Sequence, residues 1–441
     1  MHEQKKEILA IVKEKNIPHI QLWFTDILGR LKSSEISDSE LAGALESGVG
    51  FDGSSIEGFA RIEESDVVAR PDPATFQILP WTPPDRPVAR IICDVLDPYG
   101  APLPGDPRQI LKKMLKKAAR AGFVYSVGPE MEYFYFKSAA APEILDSGGY
   151  FDLTPPDLGT EIRRDTARAL QAMGMRVECT HHEVAPSQHE IDLRHGDALA
   201  MADNVMTLRF VVKEIARRNG VYASFMPKPI QTENGSGMHT HQSLFKGERN
   251  AFFDPQDKHH LSLTARQFTA GIMKHADEII AVTSQWVNSY KRLVPGYEAP
   301  VYNSWATRNR SAMIRVPLYQ PGKEGATRIE FRAPDPACNP YLAFAVMLAA
   351  GMAGMEGKYR LPDPVEENIF HMSEAEKRKR GIAALPGNLW TALEKVKASA
   401  LVKETLGDHT FEKFIRNKEI EWDNYRIHVS RYELDEYLPI L

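Results

Sequence analysis

Glu130 and Glu132 stand two residues apart in Gly128-Pro129-Glu130-Met131-Glu132-Tyr133-Phe134-Tyr135-Phe136. A Gly-Pro turn followed by alternating aromatic residues reads as a β-strand. Residues i and i+2 share a strand face, so the two carboxylates point the same way, about 7 Å apart, with Phe134 and Phe136 further along. Met131, Tyr133 and Tyr135 take the opposite face. Two carboxylates on an apolar strand are costly unless cations or guanidinium groups compensate them. Alone, the pair fits a cation site and a salt-bridged or solvated edge equally well.

Three other stretches repeat the pattern. Two more carboxylates, Glu183 and Glu190, flank the turn in Glu183-Val184-Ala185-Pro186-Ser187-Gln188-His189-Glu190-Ile191-Asp192. Two histidines, His239 and His241, share a face after the Gly-rich Asn234-Gly235-Ser236-Gly237. Arg328, Glu330 and Arg332 alternate along a third strand. A sheet curved so that these faces converge would enclose a strongly charged cavity. Carboxylates with imidazole and without thiols suit Mg²⁺ or Mn²⁺. Arg292, Arg310, Arg315, Arg328 and Arg332 add guanidinium forks matched to carboxylate and phosphate. Divalent cations with arginines are what phosphoryl transfer from a nucleotide requires. No GxxxxGK[ST] occurs, so no P-loop cradles the phosphates.

Bland readings apply to other groups. His181, His182 and His189 read as structural or surface histidines. Lys112 to Lys117, Arg217-Arg218 and Lys377 to Arg380 read as solvated helix faces, and the apolar run Tyr341 to Met355 as a buried helix too short to span a membrane.

The elements that must position these groups follow from periodicity and punctuation. A helix is expected over residues 5–15, strands over 19–25 and 31–36, and a short helix over 38–47 capped by Ser37. Gly50 to Ser55 reads as a loop. Strands are expected over 75–79 and 88–95, making the first hundred residues a small α+β unit. The Pro- and Gly-rich 96–106 is the best boundary, dividing 1–105 from 106–441. Beyond it come helices over 107–121, 158–173, 200–219 and 263–282. Strands are expected around Pro186 and over 221–229, 309–317 and 327–333, and 234–245 reads as a Gly-rich turn running into a strand. Asn288 to Pro300 reads as a loop with few hydrophobic anchors, and the last hundred residues as mostly helical. The order predicts an α+β fold with an antiparallel sheet carrying helices, not a doubly wound one.

At 441 residues the chain can bury a large core, and 43% hydrophobic with 26% charged residues is ordinary for a soluble protein. A net charge of -5 gives no general affinity for polyanions, so direct nucleic-acid binding is not expected. Cys93, Cys179 and Cys338 form no CxxC and no zinc spacing, which fits a reducing compartment. The charged start is not a signal peptide, and a cytoplasmic location is expected.

The stretches Phe51-Asp52-Gly53-Ser54-Ser55-Ile56, Asn234 to His239, Asn288 to Pro300 and Asn309-Arg310-Ser311 resemble glutamine synthetase, type I, over essentially the whole chain. The resemblance implies an N-terminal β-grasp domain and a larger catalytic domain, assembled as two hexameric rings with each active site between neighbouring subunits. It implies that Glu132, Glu183 and Glu190 hold one cation, and that Glu130, His239 and Glu330 hold another on the ATP phosphates. Two or three Mg²⁺ or Mn²⁺ per site are implied. Asn234, Gly235, Arg292, Glu298 and Arg332 are implied glutamate contacts, and Arg310 and Arg315 the phosphate clamp. Asp52, with Ser55 beside it, and Glu298 would receive ammonium. His241, Ser243 and Arg328 would contact nucleotide, with His195 where the family usually places an aromatic ring near adenine. The implied reaction joins ammonia to L-glutamate at the expense of ATP, through γ-glutamyl phosphate. Trp390, in Asn388-Leu389-Trp390, stands where adenylylated relatives carry tyrosine, so the resemblance is to the alpha subtype, controlled by feedback. Arg61 matches a position associated with glutamine feedback in that subtype. A PII-like or repressor protein partner is compatible with it. The apolar end, Leu438 to Leu441, matches a segment that inserts into the opposite ring.

Overall fold

The computed structural model describes residues 2–58 and 66–441. Arg61 lies outside the described residues. Two sheets organise the rest. In the first unit, Ile8 and Val12 lie one turn apart on α1 (His2–Glu14) and pack on Ile20, Leu22 and Ile91 in one core. Strand β1 (His19–Thr25) forms a hairpin with β2 (Leu31–Ser37) and runs parallel to β6 (Val88–Leu96). Between them come α2 (Leu41–Ser47), β3 (Val49–Asp52), β4 (Asp66–Pro71) and the two-residue β5 (Gln77–Ile78). The order is β2-β1-β6-β4-β3 with β5 on β6, a β-grasp arrangement.

Three expectations fail here. Residues 50–52 are not loop: β3 pairs antiparallel with β4, and Phe51 stacks on Phe24 at 4.7 Å. That pairing is long-range, and its glycines masked it. The strand expected over 75–79 shrinks to Gln77–Ile78, because Pro73, with Asp72 as cap, opens a 3₁₀ turn through Thr75. The helix expected over 38–47 likewise begins as a 3₁₀ turn, and the Ser37 side chain makes no cap bond.

The second unit opens with α3 (Pro107–Arg120), where the Asp106 carboxylate accepts Arg108 N–H and Pro107 takes the first position. Its sheet comprises β7 (Val124–Phe136), β8 (Val177–His182), β9 (Gln188–Leu193), β10 (Gly196–Asp197), β11 (Tyr222–Ser224), β12 (Met238–Lys246), β13 (Arg249–Asn250), β14 (Trp305–Ala306), β15 (Ile314–Arg315) and β16 (Ile329–Phe331). The order is β14-β15-β16-β12-β7-β9-β8, with every pairing antiparallel except β14 with β15. Helices α4 (Thr160–Ala172) and α5 (Ala198–Arg218) cover its apolar face with α3. Strand 221–229 ends early because Pro227 and Pro229 cannot donate to a ladder. Strand 309–317 shortens because the Asn309 side chain bonds the carbonyls of Val365 and Glu367.

The helix expected over 263–282 is two, α6 (Leu263–Lys274) and α7 (Ala276–Thr283). His275 leaves helical geometry, and its ring meets Glu278 Oε1 at 2.8 Å. Within the expected 288–300 loop, α8 (Ser289–Arg292) forms, and Tyr290 and Leu293 are buried, so the segment has anchors. The remaining helices are α9 (Pro340–Glu356), α10 (Glu374–Lys379), α11 (Leu389–Lys397), α12 (Ala400–Leu406), α13 (Asp408–Arg426) and α14 (Arg431–Tyr437). One basic run departs from expectation: Lys377 is buried against Glu374 and the Tyr302 hydroxyl, both at 2.8 Å.

α9 is buried nearly all round, which explains its lack of a polar face. It crosses α6 with backbones in contact. A Cβ on Gly354 would lie 2.1 Å from Gln267 O and 2.6 Å from Gly271 Cα. Alanine in place of helical glycine gains about 1 kcal/mol of propensity. Overpacking between two backbones costs roughly 1–3 kcal/mol or more. Gly354→Ala is therefore expected to lower the denaturation midpoint; an unchanged or raised midpoint would contradict the close crossing.

Candidate active site

Strand parity and register assemble the charged face. On β7, Glu130 and Glu132 point away from the core, whereas Met131, Tyr133 and Tyr135 enter it. Across β9, Glu130 stands opposite Asp192 and Glu132 opposite Glu190. One strand further, Cys179 of β8 faces Asp192, and His181 faces Glu190. On the other side, His239 of β12 faces Glu130, His241 faces Glu330 of β16, and Glu330 faces Arg315 of β15. The apolar alternates, Ile191, Met238, Ile314, Ile329 and Phe331, belong to the core. Phe134 and Phe136 end the polar face with Ala185 and Ile230. The four convergent faces anticipated from the sequence are thus one continuous surface.

That surface lines a cavity of 390 Å³. All six proposed cation ligands border it: Glu130, Glu132, Glu183, Glu190, His239 and Glu330. Asn234, Gly235, Arg292, Glu298, Arg310, Arg315 and Arg332 border it as well. A Cβ on Gly235 would stand 2.3 Å from Pro227 O, and one on Gly237 2.5 Å from Arg292 Nη2, so the loop needs glycine to pass Arg292. Arg292 is fixed by the carbonyls of Arg332, Ala333 and Pro334. Glu298 is held at φ 54°, a left-handed conformation uncommon for a side-chain-bearing residue.

Charge is unevenly compensated across the face. Burial opposes ionisation of Glu330, but Arg332 at 2.6 Å, His241 and His239 hold its carboxyl below the usual range. Glu130 is likewise held well below it, burial being outweighed by His239 at 3.2 Å and His241 at 2.6 Å. At the opposite end Arg292 and Arg332 favour the Glu132 carboxylate but are outweighed. Burial and then Glu183 push Glu132 up to about 8. Burial, Asp192 and Glu132 push Glu190 well up. Asp192 rises to about 7, chiefly by burial, and its buried Oδ1 has no hydrogen-bond partner. Acidic oxygens crowded this way are satisfied by divalent cations. Glu130, His239 and Glu330 each offer an atom within 4.8 Å of the others, and so do His181, Glu183 and Glu190.

A second cavity of 1090 Å³ adjoins the first, sharing Glu130, Cys179 and Asp192. His195, His241, Ser243 and Arg328 line it. The His195 ring lies parallel to Phe245 at 6.5 Å and meets Ser126 Oγ at 3.2 Å. Arg328 Nε donates to His241 Nδ1 at 3.1 Å, which leaves Nε2–H to donate to Glu130. Arg315 borders the first cavity rather than the second and pairs with Glu330. Asp52 is brought to neither. It is exposed at the end of β3, its carboxyl held below the usual range by the Ser54 hydroxyl and N–H.

Three residues on the surface were missed. His181 is no bland histidine: it lies 3.8 Å from Glu183 and 3.5 Å from Glu190. Asp192 and Cys179 join it, so the site does contain a thiol. Asp192 stands two residues from Glu190, and that spacing was the available signal. His182 and His189, read as structural or surface histidines, do not border the cavity. They are buried, with His182 between Asp146 Oδ1 at 2.9 Å and Glu183 O at 2.7 Å, and His189 on Arg163 at 2.8 Å.

A curled sheet whose concave face sets clustered carboxylates against guanidinium groups defines a cation-dependent enzyme of phosphoryl or carboxyl chemistry. Residues 16–98 match the family model described as glutamine synthetase, beta-Grasp domain, and residues 104–437 match glutamine synthetase, catalytic domain. The chain is 53% identical over 446 residues to glutamine synthetase of Mycolicibacterium smegmatis, covering 100% of both chains. It is 51% identical over 435 residues to that of Thermotoga maritima, covering 98% of each. Among solved structures it superimposes on Plasmodium falciparum glutamine synthetase with a TM-score of 0.88 at 26% identity, covering 98% of each chain. A GmaS/ADP complex gives 0.89 at 30% identity, covering 98% of this chain and 99% of that one. The chain belongs to the glutamine synthetase family. It is a ligase that joins ammonia to glutamate, and the family works with ATP and divalent cations.

Proposed function

We propose that catalysis divides along the face of β7. The observation carrying this reading is the register that places Glu130 between His239 and Asp192, and Glu132 beside Glu190. Glu130, His239 and Glu330 would hold a cation toward the ATP phosphates, and Glu132, Glu183 and Glu190 one toward glutamate. Mg²⁺ or Mn²⁺, two or three per site, fits these oxygen-rich sets and would neutralise phosphate and carboxylate charge. Asn234, Gly235, Arg292 and Arg332 orient L-glutamate. Arg310 and Arg315 hold the transferring phosphoryl group, and His195, His241, Ser243 and Arg328 hold the nucleotide. The γ-carboxylate of glutamate attacks the γ-phosphorus of ATP, giving γ-glutamyl phosphate and ADP. Ammonium loses its proton to Asp52 with Glu298 assisting, and the freed ammonia displaces phosphate. The Asn288–Pro300 segment excludes water over the intermediate.

Asp52 is exposed and outside the cavity in a single chain, which suits a site completed by a neighbouring subunit. We infer domains 1–105 and 106–441, and a dodecamer of two hexameric rings. The exposed Leu438, Ile440 and Leu441 support burial of the tail in the opposite ring. Trp390 at the start of α11 cannot be adenylylated, which supports the feedback-controlled alpha subtype. Arg61 is the proposed feedback residue: Arg61→Ala should relieve inhibition by glutamine, and unchanged inhibition would remove it from that role. A cytoplasmic location and a PII-like or repressor partner fit this reading. No helix among the described residues is long and apolar enough to cross a membrane.

The test is amide formation from ATP, Mg²⁺ and glutamate with ammonium, putrescine or ethanolamine as acceptor. Turnover of ammonium is expected; turnover of only an organic amine would replace this reading with that of another γ-glutamyl ligase, and no turnover with cation binding retained with that of a nitrogen-sensing homologue. Asp52→Ala should depress ammonium use while ATP affinity holds, and equal losses in both would contradict its role.

Cation binding should also release protons. Glu132, raised to about 8, is mainly protonated at pH 7 without a cation, and ligation requires the carboxylate. Affinity for Mg²⁺ should therefore rise with pH through about 8, where Glu132 gives up its proton. Calorimetric heats at pH 7 should vary with the ionisation enthalpy of the buffer; buffer-independent heats would contradict the assignment of Glu132.

A further inference from the structure

The outer corner of the charged face has a different chemistry from the rest. Cys179 and His181 are alternate residues of β8 and share its polar face. Asp192 stands directly across the ladder from Cys179. One ligand atom from each of the three lies within 4.8 Å of the other two. Asp192 Oδ1 is buried without a hydrogen-bond partner. Cys179 is exposed, whereas Cys93 and Cys338 are buried, so it is the accessible thiol. Cys179 and Asp192 border both cavities, which places this corner at their junction beside Glu130.

We propose that Cys179, His181 and Asp192 form a site for a soft divalent cation of the Zn²⁺ class, next to the oxygen-rich sites on β7 and drawing on His181, which also reaches Glu183 and Glu190, and that its occupancy inhibits the enzyme. Sulfur, imidazole nitrogen and one carboxylate oxygen are the ligand types that Zn²⁺ takes with a fourth position left open. Mg²⁺ has no preference for thiolate and demands oxygen ligands, so it does not compete effectively here. Binding forms a metal–Sγ bond and releases the thiol proton to solvent. A cation in this position presents charge and an open coordination site where the two cavities meet, and so captures phosphate oxygens that must pass between them. Residues 179, 181 and 192 give no zinc spacing along the chain, because the ladder brings the third ligand across from the neighbouring strand.

Only the inhibitory consequence rests on the ligase reading; the site itself is read independently by spectroscopy. The full-length assembled protein, saturated with Mg²⁺, is titrated with Co²⁺. A thiolate-to-Co²⁺ charge-transfer band is expected at about one equivalent per chain, removed by added Zn²⁺ and absent from Cys179→Ser and Cys179→Ala. Measured against each variant's own Mg²⁺-dependent rate, half-inhibition of Cys179→Ser by Zn²⁺ should need roughly 10- to 100-fold more metal than half-inhibition of the parent. Absence of the band, or a band unchanged in both variants, overturns the site. A band lost in the variants with unchanged zinc inhibition keeps the site and overturns its inhibitory role.

Discussion

Glu330→Gln is expected to lower kcat by roughly 10²- to 10³-fold, the cost of removing one preorganised charged group from a reacting centre. Glu330 is fully buried and compensated by two guanidinium groups, Arg332 at 2.6 Å and Arg315, with His239 Nδ1 at 3.7 Å. The amide keeps the shape and removes the charge. It deprives the proposed ATP-side cation of an anionic ligand and leaves Arg315 and Arg332 uncompensated. Both consequences act in one direction. The apparent affinity for Mg²⁺ should fall with kcat, and rising Mg²⁺ should restore part of the rate. Breaking a buried pair from one side also costs about 3–5 kcal/mol, so the denaturation midpoint should drop too. Steady-state kinetics over a Mg²⁺ series separate the effects. A rate within tenfold of the parent would show that Glu330 only neutralises arginines.

Arg108→Met is expected to have the largest structural effect. Arg108 is 3% exposed and pairs with Asp94 at 2.6 Å, Asp72 at 2.8 Å and Asp203 at 2.9 Å. Asp72 and Asp94 belong to the smaller sheet's unit, whereas Asp203 lies on α5 and also accepts from the Tyr341 hydroxyl at 2.7 Å. One guanidinium therefore ties the two units together. Methionine fills much of the space but leaves three carboxylates facing one another, with Lys112 as the remaining partner of Asp94. The expected cost is about 3–5 kcal/mol or more, measured as a lower urea midpoint. The pH dependence has a sign. Burial raises the Asp72 pKa, but Arg108 outweighs it, so the carboxyl is held below its usual value. Its contribution is present above the unfolded value of about 3.9 and is lost as pH falls through the lower folded value. Arg108→Met should thus lose more stability at neutral pH than at strongly acid pH. An equal loss at both would assign the effect to packing.

Much of the site was legible because strand parity is a local property. Glu130 and Glu132 share a face with Phe134 and Phe136, His239 with His241, and Arg328 with Glu330 and Arg332, as their spacing requires. Which strand lies beside which is not local. The register that sets Cys179 opposite Asp192 joins residues 13 positions apart through a turn with an irregular start at Val177/Cys179. A thiol therefore entered a face that read as oxygen and imidazole. The same limit hid β3, whose partner β4 begins only at Asp66. Asp52 shows a different limit. Its motif was legible, but one chain leaves it exposed and apart from the cavity, where the proposed assembly would set it against another copy. Helices were read closely where a cap or proline marks an end, as at Asp106-Pro107, and less well at His275, where a single residue departs from helical geometry without glycine or proline.

The most direct measurement is anomalous scattering from Mn²⁺ in crystals of the assembled protein grown with a non-hydrolysable ATP analogue. The division of labour on β7 requires separate peaks, one within ligand distance of Glu130, His239 and Glu330, the other of Glu132, Glu183 and Glu190. A single peak shared by Glu130 and Glu132, or peaks with neither group, would contradict it.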